Sequence, residues 1–203
     1  MNEDDVNPYI ALADVGLNLV LVLVFFVAAL IVVGRSGWDE VRYKDAQERV
    51  RQAVRSGLEA GALPSNTPRN DPPGAQRWVF TNRQLFGADG VQLTPAGRRA
   101  LVNFARILCK STEWRRLRVE GHTAPPRPGQ PDQWLVSAAR AAQVATVFTS
   151  SGGVRPYHVG VAGRAGQAPV NKANPSDPAN ERVEVLVEYV NVTDGDTTNS
   201  PCY

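Results

Sequence analysis

The stretch from Ala11 to Val33, ALADVGLNLVLVLVFFVAALIVV, constrains this chain more than any other part of it. After Asp14 only Gly16 and Asn18 interrupt the apolar run, and about 20 such residues suffice to cross a bilayer as a helix. Lipid offers the backbone no hydrogen-bond partners, so a single segment of this length can span only in helical form. Asp14 is the costly residue. A carboxylate in a spanning helix costs at least about 2.5–3.5 kcal/mol, and it persists where it faces a partner helix or an aqueous path. Two readings follow: an ion-handling site within the membrane, or a helix-start acid that reaches the headgroups and complements the helix dipole. Asn18, one turn further on the same face, is either a contact across paired helices or a tolerated polar residue.

The 203 residues carry 22 Lys+Arg against 20 Asp+Glu, a net charge of +2, and two cysteines. These totals bound the chain to one membrane segment plus one modest domain. The basic residues are spread out rather than gathered into a stripe, so no nucleic-acid partner is expected. The apolar run is too long for a signal-peptide core and lacks a basic segment before it, which makes it a permanent anchor. Orientation is contested. Arg35, Arg42 and Lys44 follow the run while no Lys or Arg precedes it, a count that puts the C-terminal part in the cytoplasm. A disulfide between Cys109 and Cys202 would put it outside; two reduced thiols are the alternative.

In chain order, residues 1–9 form a short acidic tail, 10–34 the membrane helix and 35–62 a juxtamembrane helix. Ser36 and Asp39 resemble a capping box that starts this second helix. Its apolar stripe, Val50, Val54 and Leu58, is narrow, so the helix is expected to extend the membrane helix, pair with a copy of itself, or lie on the bilayer. The proline-rich residues 63–76 form a linker, with Leu63 to Gly74 spanning about 35–45 Å if fully stretched. Strands are predicted over Arg77 to Phe86, Arg116 to Gly121, Tyr157 to Gly163 and Arg182 to Val190. Helices are predicted from Pro95, capped by Thr94, and over Gln133 to Thr149. Residues 191–203 are a C-terminal tail. Such alternation argues for an α+β domain with helices on one face of a small mixed sheet.

The run Val119 to Val144, VEGHTAPPRPGQPDQWLVSAARAAQV, resembles the OmpA-like peptidoglycan-binding domain, above all its version in MotB, the flagellar stator subunit. The family pattern, roughly GHTD then NWELSAARA, stands here as GHTA and QWLVSAARA. Gln84 to Leu101 resembles the family's first strand and proline-started helix, and Asn180 to Val185 its NRRVEI strand. Ala13-Asp14 resembles the pair that opens the single membrane helix of MotB proteins. The resemblance implies a βαβαβ-type domain over 77–190 and an inner-membrane, single-pass chain with a cytoplasmic N-terminus and a periplasmic C-terminal domain. It further implies that Asp14 carries H+ or Na+, with Asn18 lining the pore or the dimer contact. Two copies would sit inside a pentameric ring of a MotA-like subunit. A flagellar stator and the MotB-like subunit of the Zorya antiphage system both fit, and residues 38–60 occupy the place of the stator plug helix, a plain stalk being the alternative.

In OmpA-like domains the aspartate of GHTD and the arginine of SAARA hold the diaminopimelate of peptidoglycan. Arg140 matches the arginine. Ala124 stands where the aspartate is expected, Gln133 where an asparagine is, and Glu181 where the first arginine of NRRVEI is. Thr123, Gln133, Arg140 and Arg182 are the cell-wall binding candidates, since an arginine alone grips a carboxylate bidentately. His122 is expected to be structural or to flank the ligand. With His158 it makes up the histidine complement, and neither has metal-ligand spacing. Ser137 has no base nearby in sequence and no phosphate loop precedes a helix, so no enzyme chemistry, cofactor or metal is expected. Two readings compete with the ion carrier: a static peptidoglycan tether without ion transport, and an energy transducer like TolR or ExbD.

Overall fold

A computed structural model of the chain describes residues 8–66, 71–72, 74–88, 90–111, 114–126, 132–189 and 200–203. The tail before Pro8 and most of the C-terminal tail lie outside these residues, and the Ser36 and Asp39 side chains are likewise outside the description. The chain divides into two units, Met1–Val41 and Arg42–Tyr203. The first contains the N-terminal part of helix α1 (Pro8–Gly57). Within it Tyr9–Val33 is long and apolar enough to cross a membrane, with a mean hydropathy of 3.0 and no part buried. No new helix starts at Ser36, because residues 34–42 are already helical.

The second unit is built on four strands, β1 (Ala75–Thr81), β2 (Trp114–His122), β3 (Val159–Gly163) and β4 (Arg182–Tyr189), in the order β1-β4-β2-β3. β4 runs antiparallel to both β1 and β2, and β2 and β3 are parallel, which makes the sheet mixed. A parallel pair needs a crossover, and helix α4 (Gln133–Ser150) supplies it. The short α2 (Asn82–Leu85) and α3 (Pro95–Cys109) connect β1 to β2. Thr94 caps α3 by accepting from the Gly97 amide at 2.9 Å, with Pro95 at the first helical position.

The strand predicted to run to Phe86 stops at Thr81. There the Gln84 Oε1 accepts from the Thr81 amide at 2.8 Å, and this capping interaction turns the chain into α2 with Leu85 buried. The core is one cluster between the sheet and the helices, with Phe104 at its centre in edge contact with Trp78 and Phe80. α4 lies close against β2 and β3 because Gly121 and Gly163 present no side chain. A Cβ on Gly121 would stand 1.9 Å from the Ser137 carbonyl oxygen, and one on Gly163 would stand 2.8 Å from Ser137 Oγ.

Two expectations about the segment before the sheet are corrected. The helix continues the membrane-length segment, as one of the three alternatives had it, but its stripe Ala46, Val50, Val54 and Leu58 is buried in the core of its own chain's domain rather than left for a copy or for lipid. Gln47 and Gln76 lock it there with reciprocal amide-to-carbonyl bonds, Gln47 Nε2 to Ala75 O and Gln76 Nε2 to Gln47 O, each 3.1 Å. The stripe looked too thin to bury much because its partner surface comes from residues far along the chain. The proline-rich linker is likewise no free spacer. Ser65 bridges Val79 with backbone bonds of 2.8 and 2.9 Å, Asn66 Nδ2 donates to Arg77 O at 2.7 Å, and Asp71 pairs with Arg77. It covers the outer edge of β1, which would otherwise expose unpaired backbone groups.

Cys109 and Cys202 are joined, with Cα atoms 5.7 Å apart. The bond ties the segment 200–203 to the end of α3, and Cys202 also forms a bridge with Val154.

Candidate functional site

The site candidates from the second unit gather at one end of the sheet, where β1 and β2 finish and β4 begins. Arg140 comes up from α4, is 6% exposed, and spends its guanidinium on the protein. Nε donates to Gly90 O at 2.6 Å, Nη1 to His122 O at 3.3 Å and Nη2 to Glu181 Oε2 at 3.1 Å. Phe86 lies under it, 6.0 Å from ring centroid to Cζ. Gly90 has φ of +68°, and a Cβ there would meet Arg140 Nη2 at 2.9 Å, so only glycine delivers its carbonyl to the arginine. Glu181 is thus the carboxylate that pairs with Arg140.

Beside this pair lies a cavity of about 410 Å³, lined by Asn82 and Arg83 from α2 and by Glu181 and neighbouring loop residues. The Asn82 amide donates to the Glu181 carbonyl at 3.0 Å, which fixes α2 to the start of β4. Gln133 begins α4, two helical turns before Arg140, with Asp132 capping the helix through Trp134 N at 2.9 Å. Thr123 is buried, its amide bonded to Ala165 O at 3.0 Å.

Arg182 opens β4 at this same end, but its side chain lies on the other face of the sheet. It is 3% exposed, with Nε donating to Glu184 Oε1 at 2.5 Å, Nη1 to Asn180 O at 3.1 Å and Nη2 to Ala168 O at 2.9 Å. It belongs to a buried charged layer on the sheet face opposite the helices. Glu120 and Glu184 are cross-strand neighbours there, a repulsive arrangement by itself. Arg164 grips Glu120 with two bonds of 3.3 Å, and Arg77 and Arg182 both pair with Glu184. Burial alone would raise the Glu184 carboxyl. The His122 imidazole 3.6 Å away and the Arg182 guanidinium outweigh it and hold the group below the usual carboxylate range. Glu120, His122 and Glu184 bring ligand atoms within 4.8 Å of one another, yet the two carboxylates already serve guanidinium groups. The His122 ring sits in this charged layer, and its carbonyl accepts from Arg140 Nη1.

Ser137, in the SAARA segment, is a staple. Its Oγ donates to Trp134 O and accepts from the Ala165 amide, both at 3.0 Å, which secures Ala165 at a φ of +46°. In the first unit Asp14 and Asn18 are exposed on the helix surface, four residues apart on one face. Glu181 and Gly90, the two acceptors that hold Arg140 from elsewhere in the chain, were not among the candidates read from the sequence. The one signal in the sequence was an acid at Glu181 where the family resemblance leads one to expect an arginine.

The architecture defines the class: a helix of membrane length in one unit and an OmpA-like domain in the other. Residues 85–183 match the OmpA family. No curated protein matches the chain. Among solved structures, a MotB-like protein from Desulfovibrio vulgaris is 21% identical, with a TM-score of 0.61 over 74% of this chain and 99% of that one. The cell wall anchor of the T6SS from Pseudomonas aeruginosa is 21% identical, with a TM-score of 0.58 over 71% and 99%. The periplasmic domain of Helicobacter pylori MotB is 18% identical, with a TM-score of 0.52 over 61% and 88%. At these identities the likeness is one of fold. The fold of the second unit is that of an OmpA-like domain.

Proposed function

We propose that this chain is the ion-carrying, membrane-anchored B subunit of a MotA/MotB-type rotary complex, driven by H+ or Na+. Its domain lies outside the cytoplasm and holds the cell wall. The observation that carries the reading is Asp14, a carboxylate on a Tyr9–Val33 helix of mean hydropathy 3.0, in a chain whose other unit is OmpA-like. Desolvation raises a carboxyl's pKa and hydration lowers it, so an acid alternating between dry and wet surroundings takes up a cation and lets it go. One charge crossing 100 mV supplies about 2.3 kcal/mol, enough to bias a step. Two copies, with Asn18 at their contact, would sit in a pentameric ring of a MotA-like subunit. The disulfide supports an oxidising location for the domain, and the periplasmic setting of the H. pylori relative agrees with it against the count of flanking charges. Peptidoglycan is the wall component proposed, held at the Arg140 end of the sheet.

Asp14→Asn tests this. Co-purification should give two copies of this chain with a ring of larger multi-helix subunits, and the variant should keep that assembly while losing ion flux in reconstituted vesicles. A solitary chain, or undiminished function in the variant, would leave the static tether. Neighbouring genes separate the two settings: flagellar genes indicate motility, and helicase or nuclease genes after a MotA-like gene indicate defence.

A further inference from the structure

We infer that the end of the sheet where β2 and β3 begin docks on anionic phospholipid headgroups, through the cations Arg106, Lys110, Arg115 and Arg155 and the exposed rings of Tyr157 and Tyr203. The inference holds whether or not Asp14 carries an ion, because it needs the membrane helix only as an anchor.

Folding brings together here what is scattered along the chain. The Cys109–Cys202 bond, with Cα atoms 5.7 Å apart, sets Lys110 beside the segment 200–203. Backbone bonds from the Arg155 amide to Pro201 O at 2.9 Å and from the Tyr203 amide to Gly153 O at 3.0 Å stitch that segment to the residues before β3. His158 holds those residues to β2: its Nδ1 lies 2.5 Å from Arg115 O, and its ring centroid lies 4.2 Å from that of Tyr157. Arg106 precedes Lys110 by about one turn on the exposed side of α3. β2 runs from this patch at Trp114 to His122, whose carbonyl accepts from Arg140, so the two ends of the sheet can take different partners.

Arg106, Lys110 and Arg115 are exposed and Arg155 is half-buried. Among the described residues none of the four has an ion pair. The Arg155 guanidinium lies over the Tyr203 ring, 5.4 Å from Cζ to centroid, and its Nε has no acceptor. Unanswered cations with an orphan donor among them call for an anion. Tyr157 and Tyr203 are 65% and 84% exposed, and such rings, apolar in body and polar at the tip, settle at the headgroup level of a bilayer. Phosphates there answer the cations while the rings bury their apolar faces. A bilayer is also the anionic surface held within reach. Residues 34–41 separate the membrane-length segment from Arg42, where the second unit begins, and they span about 30 Å at most. Each cation brought to an anionic leaflet then strengthens the contact about fivefold.

The test uses the full chain in nanodiscs of phosphatidylcholine alone, or of phosphatidylcholine with an equal amount of phosphatidylglycerol, each with a trace of nitroxide-headgroup lipid. Paramagnetic broadening of backbone amide signals then reports which face meets lipid. With phosphatidylglycerol the amides of Lys110, Arg115, Tyr157 and Tyr203 should broaden most. Salt at about 1 M, where the screening length falls to about 3 Å, should abolish the effect. Arg106→Gln combined with Lys110→Gln should cut the broadening by about threefold or more with an unchanged melting temperature. Equal broadening of these amides in the two lipid mixtures, strongest broadening at the Arg83 end of the sheet, or undiminished broadening in the double variant would overturn the inference. Patch amides that stay sharp in both lipid mixtures also overturn it, and leave an acidic protein as the occupant.

Discussion

Glu181 Oε2 lies 3.1 Å from Arg140 Nη2, and this ion pair joins the start of β4 to the middle of α4 across the open end of the sheet. The carboxylate comes from the residue just before β4, far along the chain from Arg140. The pair is half-buried, with Arg140 7% and Glu181 37% exposed, so its two ends differ in consequence. The arginine is the structural end and the glutamate faces the cavity.

The buried end of the charged layer sets a pH dependence. Glu184 is held below its ordinary value of 4.5, so its contribution is complete above that value and is lost as acid protonates the folded state. Thermal melts should be flat near neutrality and fall steeply below about pH 4. Glu184→Gln should remove about 3–5 kcal/mol at pH 7, because Arg77 and Arg182 lose a buried partner, and should flatten the acid limb.

Gly121→Ala should be strongly destabilising. The added methyl would stand 1.9 Å from the Ser137 carbonyl, and α4 could yield only by leaving the sheet, at a cost of about 3 kcal/mol or more in chemical denaturation. Ser137→Ala is the milder companion. It orphans the Ala165 amide and should cost about 1–3 kcal/mol.

Reduction of the Cys109–Cys202 bond, which closes a separation of 93 residues, should lower stability by about 2–5 kcal/mol. Paired melts with and without reductant measure the effect. The double variant Cys109→Ser with Cys202→Ser should match the reduced protein and ignore the reductant.

Val54 is fully buried where α1 meets the domain. Val54→Asp places an unpaired carboxylate there and should cost about 3 kcal/mol or more. Limited proteolysis followed by mass analysis should show new cuts within residues 43–62 before any cut in the strands.

The elements are largely legible in the sequence. Proline at the first turn of α3 with Thr94 before it, alternation along Val183, Val185 and Val187, and the apolar run to Val33 each encode a local preference that survives folding, since period and capping act within a few residues. The places where reading failed share a cause. The linker, the α1 stripe and Glu181 all find their partners through long-range contacts: Ser65 with Val79, Val54 with the domain core, Glu181 with Arg140.

Local sequence determined that the described residues include a membrane-length helix with an acid near its start, and a mixed sheet packed against helices. Tertiary structure alone decided that Ser65, Asn66 and Asp71 dock on the edge of β1, and that Arg182 is buried while Arg140 pairs with Glu181 just before β4. Hydrophobic periodicity is written into neighbouring residues. The neutralisation of a buried charge depends on which distant residue the fold brings within about 3 Å of it.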